Sequence, residues 1–111
     1  MNELNLTRKI QLMIRREFPS TYVQRVSDRF LSGIPDLRVI CFGLSGDIEI
    51  KLPGKGKNSD PSPIQKKILE RISAAGGHCG VVRSVNDAYL FMNRLYEKGR
   101  QHNESCIRKN T

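Results

Sequence analysis

The stretch Gly33-Ile34-Pro35-Asp36-Leu37-Arg38-Val39-Ile40-Cys41-Phe42-Gly43-Leu44-Ser45-Gly46-Asp47-Ile48-Glu49-Ile50-Lys51 decides how this chain folds. Its second half alternates, with Ile48, Ile50 and Leu52 falling between and after Asp47, Glu49 and Lys51. A strand sends successive side chains to opposite faces, so Glu49 and Lys51 share one face while the isoleucines pack on the other. Leu37 to Phe42 is apolar enough for a central strand. Gly43-Leu44-Ser45-Gly46 then offers the positive φ values that hairpin turns need. A turn at Gly43-Leu44 sets Asp36 opposite Lys51, with Glu49 on the diagonal and within reach of a shared metal ion. A turn at Leu44-Ser45 carries Asp36 further away, and a bulge must then bring it back. Pro35 biases Ile34 toward extended geometry and stiffens the chain just before Asp36.

Two carboxylates and a lysine in this arrangement suit phosphodiester chemistry. Hard cations such as Mg2+ are commonly held by one or two carboxylates plus substrate phosphate. A cation so placed activates water and neutralises the charge that develops on phosphorus. Lys51, one strand repeat past Glu49, is placed to orient the attacking water or to stabilise the transition state. Taken alone, Glu49-Ile50-Lys51 also reads as an ordinary exposed Glu–Lys pair; Gly-Ile-Pro-Asp on the partner strand is what tips the reading toward a site.

Composition points the same way. The chain has 111 residues, enough for one domain with a modest core, and 19 Lys and Arg against 11 Asp and Glu give a net charge of +8. That excess predicts salt-sensitive attraction to a polyanion. No segment has the uninterrupted apolar length of a transmembrane helix, and Met1 to Asn5 lacks the order of a signal peptide. Cys41, Cys79 and Cys106 show no Cys-x-x-Cys spacing, and Cys41 and Cys79 sit in strand-like runs as buried free thiols. An intracellular protein, cytoplasmic in a bacterial or phage-infected cell, without disulfides or structural zinc is expected. His78 and His102 lack metal-ligand spacing, and no Gly-x-x-x-x-Gly-Lys-Ser/Thr loop is present, so histidine–metal, zinc and nucleoside-triphosphate sites are disfavoured.

Along the chain, Leu6, Ile10, Met13 and Ile14 recur at helical spacing and predict a helix over about Glu3 to Phe18, stopped by Pro19. Glu3 lies on the same stripe. It reads either as a first-turn acid favoured by the helix dipole or as a group leaning toward the sheet. Tyr22 to Val26 predicts a short edge strand, and Arg25 and Arg29 lie near the polar connection that follows. Leu52 to Pro61, rich in Gly, Pro and Lys, predicts a mobile cationic loop whose Lys55 and Lys57 suit phosphate contact without base readout. Ser62-Pro63-Ile64-Gln65 opens a second helix, with Ser62 as N-cap and Gln65 completing a capping box. Ile64, Ile68, Ile72 and Ala75 form its expected buried stripe; Lys66 and Lys67 face outward and extend the phosphate track. Gly76-Gly77 ends that helix, His78 to Val82 reads as a buried strand parallel to the one before it, and Ser84-x-x-Asp87 caps a last helix through about Lys98. Residues 1–98 form the expected domain, and the polar run 99–111 a flexible tail. The order helix–strand–hairpin–helix–strand–helix predicts an α/β fold with a central mixed sheet flanked by helices.

These residues resemble the VRR-NUC domain family of the PD-(D/E)XK nuclease superfamily, in its stand-alone form. The resemblance rests on Gly33-Ile34-Pro35-Asp36-Leu37, Ile48-Glu49-Ile50-Lys51, Gln65, and Gly76-Gly77 leading into Val81-Val82-Arg83-Ser84, in the family's order over roughly residues 3 to 95. It implies a restriction-endonuclease-like core and Mg2+- or Mn2+-dependent cleavage of DNA. Asp36 and Glu49 would be metal ligands, joined by the main-chain carbonyl of Ile50 and through water by Glu3, with Lys51 catalytic. Gln65 would reach the scissile phosphate or the nucleophilic water. The expected activity is an endonuclease selective for branched DNA such as four-way junctions, acting as a homodimer. A DNA-binding or assembly module without catalysis, and an RNA-directed nuclease, are the alternatives.

Overall fold

A computed structural model of the chain describes residues 2–27, 32–54 and 59–109, the last six by their backbone alone. The elements are α1 (Glu3–Glu17), β1 (Tyr22–Arg25), β2 (Leu37–Cys41), β3 (Leu44–Ile50), α2 (Pro63–Ala74), β4 (His78–Val82) and α3 (Val85–Lys109). The four strands lie in the order β1-β2-β3-β4; β2 pairs antiparallel with both β1 and β3, and β4 joins β3 in parallel. The expected α/β architecture with a mixed central sheet is what the chain forms.

One face of the sheet is the core. Leu37, Val39 and Cys41 of β2, Ile48 and Ile50 of β3 and Val82 of β4 point to it, against Leu6, Ile10, Met13 and Ile14 of α1 and Ala88, Met92 and Leu95 of α3, all buried. Phe18 closes one end by tilted packing on Tyr89 and Tyr96, with ring centroids 5.5 and 5.7 Å away. The helix starts are secured by side chains: Ser62 accepts from the Gln65 N–H and Ser84 from that of Asp87, as the sequence expects, and Asn2 accepts from the Asn5 N–H.

Three expectations are corrected. The hairpin turns at Phe42-Gly43, not at Gly43-Leu44 or Leu44-Ser45, since Cys41 pairs with Leu44. Phe42 takes a φ of 50° and Gly43 one of 83°, the left-handed pair that a two-residue hairpin turn requires. Leu37 then pairs with Ile48 and Arg38 with Asp47, and the next step of that register sets Asp36 against Glu49 rather than Lys51. Second, α3 does not end at about Lys98 but continues to Lys109, taking in most of the run 99–111. Gly99 is buried where the helix crosses the hairpin turn, and a Cβ there would lie 2.7 Å from the Cys41 carbonyl oxygen. Third, α2 has no buried residue. It lies along β4, with Ile68 and Ile72 half-buried, Ala75 exposed and Ile64 at 54% exposure.

Candidate active site

The face of β2 and β3 opposite the core carries the site. Alternation from Ile48 and Ile50 puts Asp47 and Glu49 on it, and Glu49 is nonetheless only 1% exposed. Asp36 precedes β2, and its main-chain carbonyl accepts from the Val26 N–H at 2.9 Å, so β1 fixes the approach to it. The Asp36 Oδ2 accepts from the Ile50 N–H at 2.7 Å. Ile50 thus meets the site through its main chain, with its side chain in the core.

A carboxyl withdrawn from water beside a second acid resists ionisation. The Glu49 carboxyl is pushed up to about 8, chiefly by burial, then by repulsion from and hydrogen bonding to Asp36; Lys51 pulls the other way, and Glu3 adds a smaller push. Glu3, half-buried in the first turn of α1, therefore acts on the site electrostatically. One Glu49 oxygen, Oε1, accepts from Gln65 Nε2 at 3.2 Å. The other, Oε2, is buried with no hydrogen-bond partner. A buried lone oxygen of this kind needs a proton or a cation to offset its desolvation.

Gln65 serves two purposes at once. Its Oε1 accepts from the Ser62 N–H at 2.8 Å, completing the capping box, and this commits Nε2 to donate to Glu49. The structural and the site readings of this residue are therefore both realised by one side chain. Gly33 explains how the helix start comes so close. It holds a φ of 85°, and a Cβ there would lie 2.5 Å from Ile64 Cγ2 and 3.3 Å from the Gln65 nitrogen. Only glycine lets the Gly-Ile-Pro-Asp segment pass against the head of α2.

Lys51, half-buried, follows β3 and is tied down by its N–H to the Val82 carbonyl at 3.0 Å. The structure thus gathers Asp36, Glu49, Lys51, Gln65 and the Ile50 main chain, with Glu3 acting from α1. Arg25 is exposed at the end of β1, and Lys66 and Lys67 are exposed on α2. Arg29, Lys55 and Lys57 lie outside the described residues.

Sequence reading missed two further groups. Arg38 Nε donates to Asp47 Oδ1 at 3.0 Å, one strand repeat from Asp36 and Glu49 on the same face; the correct hairpin register reveals this pair. Arg83 ties both ends of the loop that follows Lys51: its guanidinium donates to the carbonyls of Leu52 and Ser59 and, at 3.0 Å, to Asp60 Oδ1. Nothing in the sequence signals that reach. Burial and then Asp47 push the Cys79 thiol up, which disfavours its reactive thiolate, and its Sγ–H donates to the Leu69 carbonyl.

Among the described residues, no three His, Cys, Asp or Glu side chains form a metal-binding group, and no helix is long and apolar enough to cross a membrane. A two-carboxylate site still fits a hard cation whose remaining ligands are main-chain, solvent or phosphate oxygens. The adjacent Asp36 and Glu49 and the partnerless Glu49 Oε2 are the features that such an ion would satisfy.

A mixed sheet flanked by helices, with two carboxyls and a lysine where its central strands meet, has the restriction-endonuclease-like fold. Solved structures name the type. One described as a VRR_NUC domain superposes with a TM-score of 0.61 at 28% identity, over 78% of this chain and 92% of its own. Another, a VRR_NUC domain protein, shares the fold with a TM-score of 0.67 at 19% identity, over 85% of this chain and 87% of its own. The resemblance read from the sequence therefore holds in three dimensions. No protein-family model and no curated protein matches the chain.

Proposed function

We propose that this domain hydrolyses phosphodiester bonds of DNA with the help of Mg2+ or Mn2+. The observation that carries the reading is the buried Glu49 set against the half-buried Asp36, with Glu49 Oε2 lacking any partner and Lys51 beside it. Asp36, Glu49 and the Ile50 carbonyl would hold the ion, and Glu3 would join through water. When bound, the ion supplies Lewis-acid activation of water and offsets charge on the scissile phosphate.

The remaining work belongs to the chain. The Ile50 N–H and Gln65 Nε2 each hold one carboxylate oxygen, so both acids are fixed before substrate arrives. Lys51 brings a positive charge to the face where the attacking oxygen and the phosphoryl oxygens sit, stabilising charge as it develops. Arg25, Lys66, Lys67 and the loop tethered by Arg83 supply sequence-independent attraction to the backbone, in keeping with the net charge of +8. A domain this small has limited surface for selecting a DNA structure. We extend the reading to a homodimer presenting two sites to branched DNA such as four-way junctions, in the cytoplasm.

The test is cleavage of labelled duplex, single-stranded, flap and four-way-junction DNA, and of matched RNA, with Mg2+, Mn2+ or EDTA. Cation-dependent cutting that Lys51→Ala abolishes supports the reading, and the favoured substrate names the target. Tight, salt-dependent binding with no cutting under any cation overturns it in favour of a binding module. Monomer mass in light scattering at working concentration removes the dimer.

A further inference from the structure

The sheet face that carries the site extends well beyond it. α2 lies along β4, while α1 and α3 pack against the opposite face of the sheet. Among the described residues, no helix packs on the outer face of β1 and β2. In the observed register Tyr22 pairs with Ile40 and Gln24 with Arg38, so these four side chains share that face, and all four are exposed. Tyr22 is 57% and Ile40 44% exposed, an aromatic and an aliphatic side chain set directly opposite each other on an open sheet. Directly opposite residues of an antiparallel pair hold their Cβ atoms about 5 Å apart, so the two make one continuous apolar step.

We propose that this step is a stacking platform for unpaired nucleotides leaving the site. The inference rests on the nuclease reading above for its direction, and on the geometry of β2 for its position. Asp36, Arg38 and Ile40 alternate along one face at about 6.6 Å per repeat, which puts the Tyr22–Ile40 step about 13 Å from Asp36. That distance spans about four stacked nucleotides at ~3.4 Å each.

The chemistry of the row suits a nucleic-acid strand. Arg38, held by Asp47 but half-exposed, can reach a phosphate or lie against a base. Gln24 is a donor and acceptor for base edges. Tyr22 presents a ring on which any base can stack, without demanding a sequence. The same features are a poor protein interface: the apolar part is two side chains, against the ~800 Å2 per partner that a stable complex buries.

The experiment compares two DNA ligands by fluorescence anisotropy in EDTA. One is a blunt duplex, and the other is the same duplex carrying an unpaired tail with 2-aminopurine at its fourth position. Tyr22→Ser is expected to weaken binding of the tailed ligand roughly tenfold and to leave the blunt duplex unchanged. Tyr22→Phe, which keeps the ring, should retain the affinity, and 2-aminopurine quenching should persist with Phe and vanish with Ser. Equal affinity of wild type and Tyr22→Ser for the tailed ligand overturns the platform. So does a change of oligomeric mass in Tyr22→Ser without a change in tail binding, which would assign the face to protein contact. Cleavage measured on the same ligands separates the two levels. Cutting without Tyr22-dependent tail binding removes the platform and leaves the nuclease; Tyr22-dependent tail binding without cutting removes the nuclease and leaves the platform.

Discussion

The folded domain should become less stable as pH rises from 5 to 8 when no divalent cation is present, and Glu49→Gln should abolish most of that fall. The Glu49 carboxyl has an ordinary value of 4.5 in the unfolded chain and is pushed up to about 8 in the fold by burial and by Asp36. Below pH 4.5 both states carry the proton and the group contributes no pH dependence. Between 4.5 and 8 the unfolded chain has released it while the folded chain retains it, so stability is lost with each unit of pH. Above 8 both have released it, and the loss levels off. The slope is about 1.4 kcal/mol per unit, or roughly 4 kcal/mol from pH 5 to 8 at most. For a domain of this size that corresponds to a fall in Tm on the order of 15 °C.

Scanning calorimetry or thermal circular dichroism in EDTA, at half-unit steps of pH, measures the difference between wild type and Glu49→Gln. Gln keeps the size of the side chain and its ability to accept from Gln65 Nε2 while removing the ionisation. The variant should match the wild type near pH 5 and exceed it near pH 8.5. Under the metal-dependent reading, millimolar Mn2+ should raise the wild-type Tm at pH 8 and leave Glu49→Gln nearly unmoved, because the ion replaces the proton between the two acids. Parallel curves for the two proteins across the whole range would refute the claim that Glu49 is buried against Asp36.

Three further substitutions test the supports of the site. Gln65→Ala should cost about 1 kcal/mol in urea unfolding through loss of half the capping box, and should also slow cleavage, because one side chain serves both. Gly33→Ala should destabilise by roughly 1–3 kcal/mol, since φ of 85° and a methyl 2.5 Å from Ile64 Cγ2 force the head of α2 outward; the same unfolding assay reads it. Gly99→Ala should destabilise too, although alanine gains about 1 kcal/mol in an exposed helix interior. Its Cβ would meet the Cys41 carbonyl oxygen at 2.7 Å and Phe42 Cβ at 3.0 Å, and overpacking against backbone costs about 1–3 kcal/mol. A more stable Gly99→Ala would mean that α3 does not cross the hairpin turn where described.

Patterns of period two and period 3.6 made most of the fold legible. Alternation over Asp47 to Leu52 found β3, and the stripe Leu6, Ile10, Met13, Ile14 found α1, because burial on one face is written directly into residue choice. Glycine was the weak point. Gly46 looked like part of a turn but lies within β3, where a Cβ would sit 2.9 Å from Leu95 and 3.1 Å from Phe91, so it is there to admit α3. Gly99, given no role in the sequence reading, is another packing contact. The actual turn uses Phe42, a residue that rarely takes positive φ, and no local signal marks it. The register of the hairpin followed from that one residue. So did the pairing of Arg38 with Asp47, and the placement of Asp36 toward Glu49 rather than Lys51.

The site itself was legible for a different reason: its residues are constrained more than once. Asp36 must follow a stiff Pro35 and also receive the Ile50 N–H. Gln65 must cap α2 and hold Glu49. Gly33 must take a left-handed φ and clear the helix head that Gln65 starts. Each of these choices satisfies a local backbone rule, and that rule is visible in one sequence. The open face was not visible in this way. Tyr22, Gln24, Arg38 and Ile40 obey strand alternation, and Tyr22 supports Ile40 as its cross-strand partner, but among the described residues no helix packs on either. Exposed apolar residues on the same face as residues that the chemistry would need are where the proposed strand contact is to be tested.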